Sequence, residues 1–294
     1  MPTPTNTTPA VRIDPDTAVG TVRLTVADLG RARDFYERAI GLQASELGYG
    51  MLALSTSGER PLIELRGDLS APALGARTTG LYHLAILVPS RRDLALALVR
   101  LAEARWPLDG ASDHLVSEAL YLSDPDGNGI EIYRDRPREQ WRRSGDQLEM
   151  ATLTLDLHDV LGELPEGTSL QALASAGTRV GHVHLRVADL ATAEAFYTDT
   201  LGFDVMVRGY PGALFVSAGG YHHHIGLNTW HSLGASPPPR DAVGLRSFEV
   251  ELPSQGELEL VLDRVRSAGI ELEHLAEGTL IRDPSGNGVL LRAR

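Results

Sequence analysis

The chain repeats itself, and a duplication constrains the fold more than any single motif, because both copies must bury the same pattern. Residues 26–42 read VADLGRARDFYERAIGL, and residues 187–203 read VADLATAEAFYTDTLGF. Val26, Asp28, Leu29, Phe35, Tyr36 and Gly41 return as Val187, Asp189, Leu190, Phe196, Tyr197 and Gly202, each 161 residues later. A second echo, SDPDGNGIEIY at 123–133 and RDPSGNGVLLR at 282–292, runs at an offset of 159. Two well-separated echoes at nearly one offset make the halves duplicates.

Each half reads as strand, helix and short strands, twice over. In VGTVRLTVAD a β-rich run closes on Asp28, a residue suited to cap the helix that carries Phe35 and Tyr36. Gly41 stands where a helix-ending glycine belongs. LYHLAILVPS starts again and leads into a helix over 91–105, with Leu94, Leu98 and Leu101 at helical spacing. ALYLSD and GIEIYRD, joined by DPDGNG, read as a hairpin, so the aspartates and glycines there are turn chemistry. The pattern predicts four βαβββ modules near 19–66, 79–135, 180–230 and 243–294, an α+β fold. Residues 1–18 are expected to be a flexible tail, and 136–179 a connector with a short helix whose role the sequence does not tell.

Composition removes several function classes. With 294 residues the chain has room for about two domains. A net charge of −12 repels phosphate backbones, so no nucleic-acid partner is expected. There is no apolar run of membrane-spanning length and no secretory leader pattern, so no membrane partner and a cytoplasmic site of action are expected. A homo-oligomer is left open. The absence of cysteine excludes disulfides, thiolate metal sites, iron–sulfur clusters and a thiol nucleophile. Any metal must be held by His, Asp, Glu or backbone oxygen.

The histidines are where the chemistry concentrates. His83 lies in the apolar strand LYHLAILV, and Glu131 in GIEIYRD faces away from Ile130 and Ile132. His182 and His184 share a strand face in GHVHLRV, as His222 and His224 would in YHHHIGLN, with His223 turned the other way. Singly, each reads as a satisfied core histidine or a solvent-facing glutamate. Six of ten histidines in or beside three strands outweigh that reading. Imidazoles and a carboxylate on one sheet face can hold a divalent metal and leave positions open for a ligand. By charge alone Fe, Mn, Zn or Ni would fit.

With His on first strands and Glu on a last strand of four such modules, the sequence resembles the vicinal oxygen chelate superfamily. This group includes glyoxalase I, fosfomycin- and bleomycin-resistance proteins and type I extradiol dioxygenases. LYHLAILVPSRRDLALAL, SDHLVSEALYLSDPDGNGIEIYRDRP and FVSAGGYHHHIGLN look like the two-half catechol 2,3-dioxygenases of bacilli. The resemblance implies two tandem vicinal-oxygen-chelate domains, at 19–135 and 180–294. It further implies an Fe(II) enzyme that opens a catechol with O2. In that superfamily each site takes ligands from the first and last strands of two modules. The first module offers Thr21 and Glu64 at these positions, the second His83 and Glu131, the third His182 and Gly226, the fourth Ser247 and Leu290. Only modules two and three together supply two histidines and a carboxylate, so His83, Glu131 and His182 are the expected metal ligands. Pairing modules one and two would instead give Glu64, His83 and Glu131 and leave the later histidines unexplained. By position His224 matches the family's acid/base histidine, with His222 or His223 taking the role if the register slips. Tyr121, ten residues before Glu131, matches a substrate-contacting tyrosine, and His114 falls where a further histidine is carried. The alternatives are an isomerase of glyoxalase type, which needs a second carboxylate, and a binding protein without catalysis.

Overall fold

The computed structural model describes residues 12–56, 60–145, 147–168 and 173–294. Each of the four modules is βαβββ. The first comprises β1 (Ala18–Val26), α1 (Leu29–Phe35), β2 (Gln43–Gly48), β3 (Met51–Ser55) and β4 (Ile63–Gly67). The second comprises β5 (Gly80–Leu87), α2 (Arg91–Glu103), β6 (Gly110–Asp113), β7 (Ser117–Ser123) and β8 (Gly129–Asp135). Between the halves lie the short strands β9 (Arg143–Ser144), β10 (Gln147–Leu148) and β11 (Leu153–Thr154) and the helix α3 (Leu157–Leu161). The third module holds β12 (Arg179–Arg186), α4 (Leu190–Ala195), β13 (Asp204–Val207), β14 (Ala213–Ser217) and β15 (Ile225–Asn228). The fourth holds β16 (Gly244–Leu252), α5 (Gln255–Ser267), β17 (Glu273–Leu275), β18 (Gly278–Arg282) and β19 (Gly288–Ala293).

The duplication is tandem in sequence, but the sheets pair across it. One sheet runs β17-β18-β19-β16-β1-β4-β3-β2, joining modules one and four. The other runs β11-β6-β7-β8-β5-β12-β15-β14-β13, joining modules two and three. At each centre the first strands of two modules pair antiparallel, β1 with β16 and β5 with β12. The halves of the chain at 19–135 and 180–294 are therefore repeats, not separate sheets.

Alternation along the strands sorts side chains between two faces. Leu84, Ile86, Ile130 and Ile132 join Val183 and Leu185 in one buried core with Phe35, Leu94 and Leu101 from the helices. The opposite face carries His83, Glu131, His182 and His184, all buried. Asp28, Ser90, Asp189 and Ser254 cap their helices, each accepting from the backbone N–H three residues on.

The repeated motifs meet in space. Helices α1 and α4 each run into a π-helical turn that begins at or beside the Phe-Tyr pair. Tyr36 Oη donates to Asp124 and Tyr197 Oη to Asp283, both at 3.1 Å. Asp124 and Asp283 also organise their own turns by accepting from the backbone N–H and amide of Asn128 and Asn287. The Phe-Tyr and Asp-Pro motifs thus clamp the two modules of each half, while the sheets bind one half to the other. Gly41 and Gly202, which follow these turns, have φ of 86° and 93°, a left-handed backbone that glycine tolerates best.

Two expectations change. The tail is packed from residue 12 onward: Ile13 is buried and its N–H bonds to Gly202 O at 2.8 Å, because an apolar side chain found a site beside the third module. Residues 1–11 lie outside the described residues. The connector is built into the fold, with β11 pairing to β6 and Val160 of α3 buried in the main core. Among the described residues no helix is long and apolar enough to cross a membrane.

The second glycine of each GNG turn is a close-approach site, since a Cβ on Gly129 would lie 2.1 Å from Tyr82 O, and one on Gly288 2.4 Å from Arg246 O. Gly129→Ala is expected to destabilise the fold by about 2–3 kcal/mol in urea unfolding. It should also weaken metal binding, because the displaced strand carries Glu131.

Candidate metal centre

The central pairing of the mixed sheet assembles the site. In the antiparallel β5–β12 ladder His83 stands opposite His184 and Ala85 opposite His182. In the parallel β5–β8 ladder Ala85 is also opposite Glu131. The small side chain of Ala85 therefore sits between His182 and Glu131, with His83 two residues away on the same face. His83 Nε2 lies 3.0 Å and His182 Nε2 3.1 Å from the same oxygen, Glu131 Oε2. The donor atoms of the three residues lie within 4.8 Å of one another.

These residues fit a divalent cation. Ligands bound at roughly 2.1 Å in adjacent positions stand about 3 Å apart, the spacing found here. His83 Nε2, although 3.0 Å from the carboxylate, lacks hydrogen-bonding geometry to it and is a buried nitrogen without a partner. Burial pushes the His182 imidazole down to about 4 against the attraction of Glu131, so it is neutral near pH 7. Burial alone would raise Glu131, but His182 and His83 outweigh it and hold the carboxyl well below the usual carboxylate range. Neutral imidazole and ionised carboxylate are the protonation states a metal requires.

A cavity of about 540 Å³ opens over the cluster, lined among others by His83, Glu131, Tyr121, His114, His184 and His223. His114 Nδ1 lies 2.7 Å from Ala151 O, a carbonyl that can only accept, so the Nδ1 proton is fixed there. A singly protonated His114 then offers its Nε2 lone pair to the Tyr121 hydroxyl, 2.7 Å away. Burial, with Glu131 nearby, raises Tyr121 well above the ordinary tyrosine value and keeps it protonated. Ala151 belongs to the connector, and Met150 and Thr152 line the cavity beside it. One role of the connector, illegible in the sequence, is thus to hold His114 and close one side of the site.

The histidine run differs from the strand reading. His222–His224 precede β15, which begins at Ile225, so strict alternation does not apply to them. His224 turns away from the cluster, with Nδ1 accepting from Ala218 N at 3.2 Å and meeting Ser217 Oγ at 2.8 Å. It lines a smaller cavity with Arg138, Arg179 and Pro15. The residue in the main cavity is His223, whose ring centroid is 4.0 Å from that of His182. His222 lies behind it, with Nε2 2.9 Å from Asp135 Oδ1 and Nδ1 2.8 Å from His223 Nδ1. With its Nε2–H committed to Asp135, a singly protonated His222 accepts from His223 Nδ1–H. His223 Nε2 then carries the lone pair. Burial, together with the neighbouring histidines, lowers His223 well below the ordinary value and keeps it neutral. Of this run, His223 and not His224 reaches the main cavity.

His184 occupies the space where the third module could have offered another ligand. A Cβ on Gly226 would come within 2.9 Å of the His184 ring, so a carboxylate side chain there would have to displace His184.

The other sheet shows what replaces the cluster. At the matching positions Thr21, Glu64, Ser247 and Leu290 form no metal group, but Arg23 lies between two carboxylates. Its Nε is 2.9 Å from Glu64 and its Nη2 2.8 Å from the buried Glu249. Arg60 also pairs with Glu249. A covalently tethered cation thus serves this face. Glu249 was invisible to motif matching because it falls two residues beyond Ser247 on β16, at the position of Ala85.

Comparison with known proteins agrees with this architecture. The Glyoxalase/Bleomycin resistance protein/Dioxygenase superfamily model matches the chain twice, over residues 18–132 and 179–291. A Bacillus subtilis (strain 168) protein named catechol-2,3-dioxygenase is 47% identical over 276 residues, which is 92% of this chain and 95% of that protein. Among solved structures, a dioxygenase candidate from Bacillus subtilis subsp. subtilis str. 168 superposes with a TM-score of 0.64 at 14% identity, covering 96% of this chain and 86% of that one. Glyoxalase I of Zea mays superposes with a TM-score of 0.56 at 13% identity, covering 94% and 92%.

Three outcomes follow. His182→Ala should abolish metal retention, measured as metal per chain after loading and desalting, whereas Glu64→Ala should keep it; the reverse result would move the centre to another pair of modules. Arg23→Met should cost about 3 kcal/mol in urea unfolding by leaving Glu64 and Glu249 short of a cation, with metal content unchanged. Burial lowers His224 to about 3 in the folded chain, against 6.5 for the ordinary side chain. The unfolded chain therefore binds more protons below pH 6.5, and stability of the metal-free protein should fall as pH drops from 6.5 toward 3. His224→Gln should flatten that slope.

Proposed function

The chain belongs to the Glyoxalase/Bleomycin resistance protein/Dioxygenase superfamily, and on that premise we propose that it is an extradiol dioxygenase that opens the ring of a catechol with O2. The metal would be Fe(II), held by His83, Glu131 and His182; the same donors also suit Mn, Zn or Ni. The observation that carries the reading is the three-donor cluster beneath one cavity in which His114 and His223 have their ring protons placed by hydrogen bonds. The name of the Bacillus subtilis relative supports the catechol class. Against a glyoxalase-type isomerase with a second carboxylate stands Gly226, beneath the His184 ring.

Bound there, Fe(II) would supply Lewis acidity toward two adjacent hydroxyls and electron transfer to O2. The chain's own residues bind, orient and move protons. Tyr82, Phe215 and Trp230 wall the cavity and suit a flat ring. His223 Nε2, bare and neutral, is the acceptor for a hydroxyl proton and returns it as the product forms. His222 and Asp135 keep that nitrogen unprotonated by holding the ring's proton at Nδ1. Tyr121, donating to His114, presents its oxygen lone pair to a second substrate hydroxyl. Overall, one ring C–C bond beside a hydroxylated carbon breaks and both atoms of O2 enter the product, so no external reductant is needed.

Protein purified without oxygen and loaded with Fe(II) should convert catechol into a yellow ring-opened semialdehyde. His223→Ala should lower kcat by about 10²- to 10⁴-fold with iron retained, while His224→Ala should have a much smaller effect. Colourless incubations with iron-loaded wild-type protein would overturn the reading.

A further inference from the structure

One cation in the cavity has no carboxylate. Arg186 ends β12 and lines the cavity, on the strand that also carries His182 and His184. It is half-buried, and its Nε is buried without a hydrogen-bond partner. Among the described residues no Asp or Glu pairs with it, and its only neighbouring acidic group is the Tyr82 hydroxyl. Two other withdrawn arginines are matched: Arg23 has Glu64 and Glu249, and Arg134 has Glu118. The carboxylates that line the cavity are otherwise engaged, Glu131 in the metal cluster and Asp109 with Ser123 Oγ at 2.8 Å. Burial lowers the Arg186 guanidinium below the ordinary arginine value, which fits a cation stripped of water with no counter-charge from this chain.

The space between the cluster and Arg186 is aromatic. The guanidinium carbon lies 6.0 Å from the Tyr82 ring centroid, and Tyr82 packs edge-on to His184 at 5.0 Å and Trp230 at 5.3 Å. From His182 to Arg186 is four residues of strand, about 13 Å. A span of that length, with the guanidinium beside Tyr82, has room for a single ring and a short acidic arm.

We propose that Arg186 determines specificity by pairing with a carboxylate on the substrate, so that the preferred catechol carries an acidic side chain on the edge of the ring away from its hydroxyls. This rests on the catechol reading above. A charge-assisted hydrogen bond in a partly desolvated site should favour the acid by about 10- to 100-fold.

The test is anaerobic calorimetry on Fe(II)-loaded protein, where ligands bind without turnover, using 3,4-dihydroxyphenylacetate and its uncharged near-isostere 4-methylcatechol. Wild type should bind the acid at least tenfold more tightly. Arg186→Gln should bring the two affinities within about threefold, and Arg186→Lys should restore part of the difference, since a partly desolvated ammonium keeps the charge but loses the fork. Equal affinities in wild type, or a preference that survives in Arg186→Gln, would overturn the assignment. Admitting oxygen separates the two readings. Acid selectivity without a coloured product from either ligand sinks the dioxygenase and leaves Arg186 as an anion-recognising group. Equal cleavage of both with equal kcat/KM sinks Arg186 and leaves the dioxygenase.

Discussion

Everything at the centre depends on one antiparallel pairing, that of β5 with β12. The two strands come from opposite halves of the chain, and their register sets Ala85 against His182 while β8 sets the same alanine against Glu131. A one-residue slip would send every histidine to the apolar side and every core leucine to the cavity. The register is held from behind, because Leu84, Ile86, Val183 and Leu185 are buried in a core shared with the helices. The metal cluster is the polar side of a hydrophobic constraint.

The two sheets solve the same electrostatic problem differently. Both bring carboxylate to a buried face at the meeting of four strands, and a buried carboxylate needs a cation. In the sheet of modules one and four the cation is Arg23, bonded to Glu64 and Glu249. In the sheet of modules two and three, among the described residues, no arginine pairs with Glu131; two imidazoles do, a donor set that could hold an ion. One duplicated frame thus holds a closed ion-pair network on one side and an open donor set on the other.

Protons at the open site are directed by groups far apart in sequence. Ala151 in the connector fixes His114, and His114 meets Tyr121. Asp135, at the end of β8, fixes His222, and His222 fixes His223. Each chain ends on a backbone or carboxylate acceptor and begins in the cavity, so the cavity-facing atoms of Tyr121 and His223 have defined donors and acceptors before any ligand arrives.

Much of this was legible in the residues alone. The repeat marked out four modules, and alternation in GIEIYRD turned Glu131 away from the isoleucines; the superfamily resemblance, laid over first- and last-strand positions, implied His83, Glu131 and His182, whose donor atoms lie within 4.8 Å in the fold. Strand period failed at YHHHIGLN, because the histidines lie ahead of the strand, which begins only at Ile225. Pairing between modules, the reach of Ala151 to His114, the burial of Ile13 and the two carboxylates around Arg23 were set only by tertiary structure. Local sequence determines period and caps, since those depend on neighbours a few residues away. Which distant strands share a ladder depends on how apolar faces from both halves bury one another, and that is decided by the whole chain at once.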